Sequence, residues 1–201
     1  MEVIKLRTRS GVWLELGDVQ PEQIRIEDIA QGLSNTCRFA GQCKQFYSVA
    51  EHCCHLYDQL LYWGFPDKAC LAALLHDAAE AYLHDLATPL KRKLPDYKAL
   101  ESALLAVICE RYGLTIPPLV KQYDFQLFLL EFKTLFVPAE DDCRWVGPLR
   151  TVIDRKLRCW SPARARREFL YRFNNRMRGK SWYGQCWWLW CWDSALFALG
   201  R

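Results

Sequence analysis

Five apolar residues, Leu71-Ala72-Ala73-Leu74-Leu75, run straight into His76-Asp77, and this junction constrains the chain more than any other stretch. A helix buried enough to need that run gains nothing from an imidazole and a carboxylate where its apolar stripe should continue. The two side chains together can, however, hold a divalent cation. Neighbours on a helix point about 100° apart, so both reach one ion only from a shared edge, with other ligands arriving from elsewhere. Glu80 follows one turn after His76 and falls on the same face. Taken alone, a His-Asp dipeptide is ordinarily the polar boundary of a helix, so the rest of the chain has to decide.

Hydrophobic spacing predicts helices over about Ile26 to Asn35, Ser48 to Trp63, Asp67 to Leu83, Tyr97 to Tyr112, Pro118 to Leu135 and Ser161 to Phe173. Pro66, Pro95, Pro117-Pro118 and Ser161-Pro162 stand before helices, and Gly113 stands after one. Val3 to Leu16 alternates around Ser10-Gly11 and reads as a short hairpin or extended arm. The expected fold is all-α, one helical bundle behind that arm. His52 lies on the second predicted helix, His76-Asp77 on the third and Asp124 on the fifth. A lone His or Asp in such a run is usually a satisfied core residue, but three helices each contributing to one possible site is a different matter.

With these residues in view, the chain resembles the HD-domain phosphohydrolases. The likeness is carried by Cys37-Arg38-Phe39-Ala40-Gly41, Phe46 to His52, Leu74 to Glu80 and Asp85-Leu86-Ala87-Thr88-Pro89-Leu90-Lys91, and it spans roughly Arg9 to Phe173. It looks most like the small bacterial and phage branch that includes 5'-deoxynucleotidases and phage-type dATP triphosphohydrolases. The resemblance implies a single HD-domain helical bundle over residues 1–175 with His52, His76, Asp77 and Asp124 as metal ligands. It implies that Glu80 assists proton transfer, that Arg38 holds the substrate phosphate, and that Asp85 lies close to the sugar or the attacked phosphate. Thr88 and Lys91 are the further substrate-binding positions it implies. Two positions depart from the pattern: Gln42 stands where relatives often have His, and His84 where many have Gly.

The chemistry is arguable from the residues themselves. Two imidazoles and two carboxylates leave a divalent ion open positions for water and a phosphate oxygen, and such binding brings the water's pKa down to about 7 in favourable zinc sites. A guanidinium such as Arg38 grips phosphate oxygens in bidentate fashion, and Glu80 is placed to shuttle a proton. With only four His in the chain, a His-rich binuclear site is not expected. The cofactor is one divalent transition metal, cobalt, manganese, iron, nickel or zinc, with additional magnesium for a triphosphate substrate. The expected function is hydrolysis of deoxynucleotides, a dATP-like triphosphate releasing tripolyphosphate, with a 5'-deoxynucleotidase on monophosphates as the alternative. From another class, a non-catalytic nucleotide- or nucleic-acid-binding module is the competing reading.

Composition bounds the remainder. At 201 residues and 51% hydrophobic content, the chain suits one well-buried domain. Its first residues break apolar positions with charges, so no export signal is read and a cytoplasmic location is expected. Ten Cys are scattered without Cys-x-x-Cys spacing and are expected as free thiols. Residues 1–143 hold 14 Lys and Arg against 20 Asp and Glu, while residues 144–201 hold 13 against 3. The basic end reads as a solvated face rather than a nucleic-acid surface. The expected partners are a deoxynucleotide substrate and, by resemblance, further copies of the chain, with no membrane. Trp182, Trp187, Trp188, Trp190 and Trp192 crowd into a tail, residues 176–201, that has no assigned role; its apolar run is shorter than the roughly 20 residues a bilayer needs.

Overall fold

The computed structural model describes residues 4–142 and 156–177. Two strands, β1 (Ile4–Arg7) and β2 (Trp13–Leu16), form an antiparallel hairpin with Ile4 opposite Leu16 and Arg7 opposite Trp13. Helices follow: α1 (Ile26–Asn35), α2 (Val49–Tyr62), α3 (Asp67–Leu75), α4 (Glu80–Leu83), α5 (Thr88–Lys91), α6 (Pro95–Tyr112), α7 (Pro118–Leu135) and α8 (Pro162–Met177). The all-α expectation holds, with the hairpin as the only sheet among the described residues. The Trp-rich tail lies outside them. No described helix is long and apolar enough to cross a membrane.

Helix α2 is the axis of the bundle, packed by α1, α3, α7 and α8. Its start is set by Ser48, whose Oγ accepts the Glu51 N–H at 3.1 Å, an N-cap one turn ahead of His52. That cap leaves the Glu51 carboxylate for another task. It is fully buried, and it accepts the backbone N–H groups of Arg158 at 3.1 Å and of Trp160. The Trp160 ring then covers His55, which stacks on Tyr47 from the other side. Helix α8 closes the bundle through Arg172 on Asp58 (2.7 Å) and Arg176 on Tyr57 and Asp67.

In α3, Cys70 through Leu75 are all buried, which is why the run lacks helical periodicity: every face meets protein. The helix expected to continue to Leu83 instead stops at Leu75. Residues 76–79 turn more tightly, with Ala78 N donating to Leu75 O (3.0 Å) and Glu80 N to Asp77 O (2.9 Å), before α4 resumes. These three-residue bonds change the angular step between neighbours. They coincide with the point at which His76 and Asp77 must face one centre.

The chain after α4 is held in an unusual shape. His84 adopts φ 65° and ψ 161°, a region that is essentially reserved for glycine. Glycine adopts this region at little cost, which accounts for Gly at that position in the pattern the chain resembles. His84→Gly is expected to relieve more strain than the added chain entropy costs, a net gain of about 1 kcal/mol. Thermal unfolding would show this as a rise of about 2–4 °C; an unchanged or lower midpoint would mean that the His84 side chain compensates.

Candidate metal centre

Three elements converge on one point. His52 comes from α2, His76 and Asp77 from the tight turn after α3, and Asp124 from α7. His52 Nε2 lies 3.3 Å from His76 Nε2 and 3.1 Å from Asp124 Oδ1. His76 Nε2 lies 3.1 Å from Asp77 Oδ2 and 3.7 Å from Asp124 Oδ1, and His52 Nε2 is 3.7 Å from Asp77 Oδ2. Bonds of about 2.0–2.2 Å from a common centre give ligand–ligand edges of roughly 3.0–3.6 Å. These five separations stand close to the spacing that a single ion imposes.

The rings are oriented from behind. His52 Nδ1 is 2.7 Å from Glu131 Oε1, and His76 Nδ1 is 2.8 Å from the Ala73 carbonyl. With each Nδ1–H donated to an oxygen, both Nε2 atoms present lone pairs to the shared point. Charge favours a cation there. Burial works against protonating His76, but Asp77 and Asp124 overcome it and hold its pKa well above the usual value. Burial and then Arg38 oppose protonation of His52, yet Glu131 and Asp124 raise it as well. Asp77 would rise on burial, but His76 draws it down to about 2, and both imidazoles hold Asp124 well below the carboxylate range. The carboxylates demand positive charge between the rings, which protons or a metal ion can supply.

Glu131 is the residue that sequence reading passed over. It is fully buried and accepts from Tyr47 Oη at 2.8 Å as well as facing His52. Its signal was present: Leu127, Glu131 and Leu135 recur every four residues along α7, so a carboxylate sits in the middle of the core-facing stripe. Glu131→Gln is expected to weaken metal affinity about 10–100-fold, because the amide is a poorer acceptor for the His52 N–H. Competition with a chelating dye reads this; equal affinity would reduce Glu131 to a packing role.

Arg38 is buried with its guanidinium between two carboxylates. Nη1 lies 3.6 Å from Asp77 Oδ2, and Nε lies 3.1 Å from Glu131 Oε2, although that N–H does not point at the oxygen. The residue after it begins a left-handed turn, Phe39, Ala40 and Gly41 having φ of 57°, 51° and 75°. For non-glycine residues this costs roughly 1–2 kcal/mol each. Opposing contacts hold the turn: Phe39 N donates to Asp85 Oδ2 (3.3 Å), Arg38 N to Tyr47 O (2.9 Å), and the Phe39 ring meets Phe128 and Phe136.

Glu80 is buried beside this group. Burial, then Asp77 and Asp85, push its pKa up to about 8 even though Lys91 Nζ sits 2.7 Å from Oε1. Its other oxygen, Oε2, is buried and has no protein hydrogen-bond partner among the described residues. Lys91 also binds Glu101 Oε1 at 2.6 Å, so its ammonium is flanked by two carboxylates and stays charged. Lys91 thus links α4 through α5 to α6. Asp85 is half-buried on the Phe39 amide, and Thr88 is exposed at the first turn of α5. His52, His76, Asp77, Asp124 and Arg38 are brought together, with Glu80 and Asp85 alongside; Lys91 reaches Glu80 from α5, and Thr88 is exposed on the same helix.

No family model matches the chain. The chain is 47% identical over 115 residues to uncharacterized protein YfdR of Escherichia coli (strain K12), covering 57% of this chain and 61% of that protein. It is 42% identical over 114 residues to an uncharacterized protein of Rhodobacter capsulatus, covering 54% of this chain and 58% of that one. Among solved structures it is similar to the cyanophage S-2L HD phosphohydrolase (DatZ) bound to dA and one catalytic Zn2+ ion. That likeness has 21% identity and a TM-score of 0.46, over 76% of this chain and 96% of the other. The chain spans about three fifths of the length of the curated relatives it matches.

Proposed function

We propose that this chain is a metal-dependent phosphohydrolase of the HD-domain type, carried by residues 1–175 and acting in the cytoplasm on free deoxynucleotides rather than nucleic acid. One observation carries the reading: the His52 and His76 Nε2 atoms lie 3.3 Å apart and each lies 3.1–3.7 Å from Asp77 Oδ2 and Asp124 Oδ1, with each imidazole oriented by an acceptor on its far nitrogen. An acceptor behind each ring holds its Nε2 towards the shared point, the arrangement in which an imidazole ligates a metal. A divalent ion bound there would supply a nucleophilic water at neutral pH and polarise a phosphoryl oxygen.

The protein's own groups divide the remaining work. Arg38 holds a guanidinium at the edge of the centre, charged and tethered, where it can grip phosphate oxygens. Glu80, its pKa raised to about 8 by burial, Asp77 and Asp85, has one oxygen on Lys91 and a second, buried one with no hydrogen-bond partner among the described residues. It suits proton delivery to a leaving oxygen. Asp85 braces the Phe39 amide and so fixes the turn that carries Arg38.

A triphosphate substrate of the dATP kind, cleaved to deoxynucleoside and tripolyphosphate, is the reaction we favour from the resemblance around Arg38; homo-oligomeric assembly is part of the same reading. The test is a product screen of deoxynucleoside mono- and triphosphates on chelator-treated protein resupplied with cobalt, manganese or magnesium. Metal-dependent release of nucleoside and tripolyphosphate is expected. Nucleoside and single phosphate from monophosphates would replace the substrate assignment but keep the chemistry. No metal-dependent product from any of them would overturn the reading.

A further inference from the structure

The turn that carries Arg38 is bracketed by two thiols. Cys37 immediately precedes Arg38, and Cys43 follows the left-handed stretch; their Sγ atoms lie 3.8 Å apart, and both are free and half-buried. Each end of the segment is anchored independently. Cys37 pairs with Ser48 in an isolated antiparallel bridge, and the residue after Cys43 donates its N–H to Leu135 O at 2.9 Å. The tip between them is exposed at Ala40, Gly41 and Gln42. We propose that Cys37 and Cys43 are a reversible disulfide site that closes the neck of the Arg38 turn.

Geometry sets this pair apart from the other cysteines. A disulfide needs its sulfurs at about 2.05 Å; these two already stand in contact at 3.8 Å, at the two ends of one short turn, so no secondary-structure element has to cross the core. Cys53, Cys54 and Cys70 are buried, and Cys109 lies on α6. Cys159 packs in the same small cluster as Cys43, which makes it the competitor to be excluded. Cys43 donates to the Gln45 carbonyl at 2.9 Å, and burial followed by the neighbouring Cys37 pushes its thiol up. Cys43 thus holds its proton on a carbonyl, which leaves Cys37 to attack first.

The oxidant is a low-molecular-weight disulfide such as oxidised glutathione. The Cys37 thiolate attacks one of its sulfurs, forming a mixed disulfide and releasing one glutathione thiolate. Cys43, losing its proton to solvent, attacks the Cys37 sulfur and releases the second glutathione. Two protein thiols are oxidised and one glutathione disulfide is reduced to two thiols, so electrons and atoms balance.

The experiment uses the full chain and does not depend on hydrolase activity, so it stands or fails apart from the proposed function. After incubation with oxidised glutathione and alkylation of remaining thiols, proteolytic mapping is expected to show a peptide linkage from Cys37 to Cys43. Amide exchange across residues 38–44 should slow several-fold and recover with dithiothreitol. In Cys37→Ser the linkage should vanish while the thermal midpoint stays within a few degrees. A linkage from Cys43 to Cys159, or both thiols still alkylated after other cysteines have reacted, would overturn the proposal. So would a linkage that leaves exchange in the turn unchanged, because the bond would then not constrain the Arg38 segment.

Discussion

Alanine at His76 is expected to abolish metal retention and turnover together. The side chain supplies one of four converging donors, and its Nε2 is within 3.1–3.7 Å of the other three. Its removal leaves three donors, with Asp77 and Asp124 deprived of a partner that holds their pKa values down. Bound metal should fall from about one per chain to a small fraction after desalting. A loss of about 10³-fold or more in kcat/KM follows, equivalent to ~4 kcal/mol of transition-state stabilisation. Elemental analysis and the product assay must move together. Turnover preserved in a metal-free His76→Ala protein would sink the mechanism, whereas a lost fold, visible by circular dichroism, would call for His76→Gln as the cleaner variant.

The second large effect comes from a residue with no polar chemistry. Gly32 lies within α1, where alanine ordinarily stabilises a helix by about 1 kcal/mol. Here a Cβ would stand 2.3 Å from the Ala81 carbonyl oxygen and 2.8 Å from its carbonyl carbon and Cα. These are backbone atoms of α4 and cannot swing aside as a flexible side chain would. Overlap therefore outweighs propensity, and Gly32→Ala is expected to destabilise by about 3 kcal/mol, lowering the thermal midpoint by roughly 10 °C. Because α4 begins at Glu80, the surviving folded protein should also lose activity. A midpoint equal to or above that of the parent chain would show that the two helices separate without cost.

Much of this was legible in the residue order, for reasons that differ by element. Helix α1 runs over Ile26–Asn35 as its spacing predicts, because one apolar face on a short amphipathic helix leaves few alternatives. The predicted helix from Asp67 to Leu83 breaks after Leu75, since an all-apolar run contains no phase information from which a tightened turn could be read. Candidate ligands were visible as polar residues in otherwise apolar runs. Glu131 had the same character but no partner nearby in sequence: its contacts are to Tyr47, His52 and Arg38, some eighty or more residues away. Lys91 likewise has partners that residue order does not announce: it pairs with Glu80 and with Glu101, which α6 brings across.

The Glu51 carboxylate has a consequence for the order in which the protein can be made. It adjoins His52, yet the backbone groups that satisfy it belong to Arg158 and Trp160, more than a hundred positions later. A ribosome adds on the order of 5–20 residues each second, so helix α2 emerges several seconds before those N–H donors exist. During that interval Glu51 has His55 of its own helix within 3.4 Å but lacks both backbone donors, and burying it would carry a desolvation cost. The Glu51 contacts to Arg158 and Trp160, and the packing of the Trp160 ring on His55, can therefore form only after residues 158–160 have been made, so this wall of α2 closes late in synthesis.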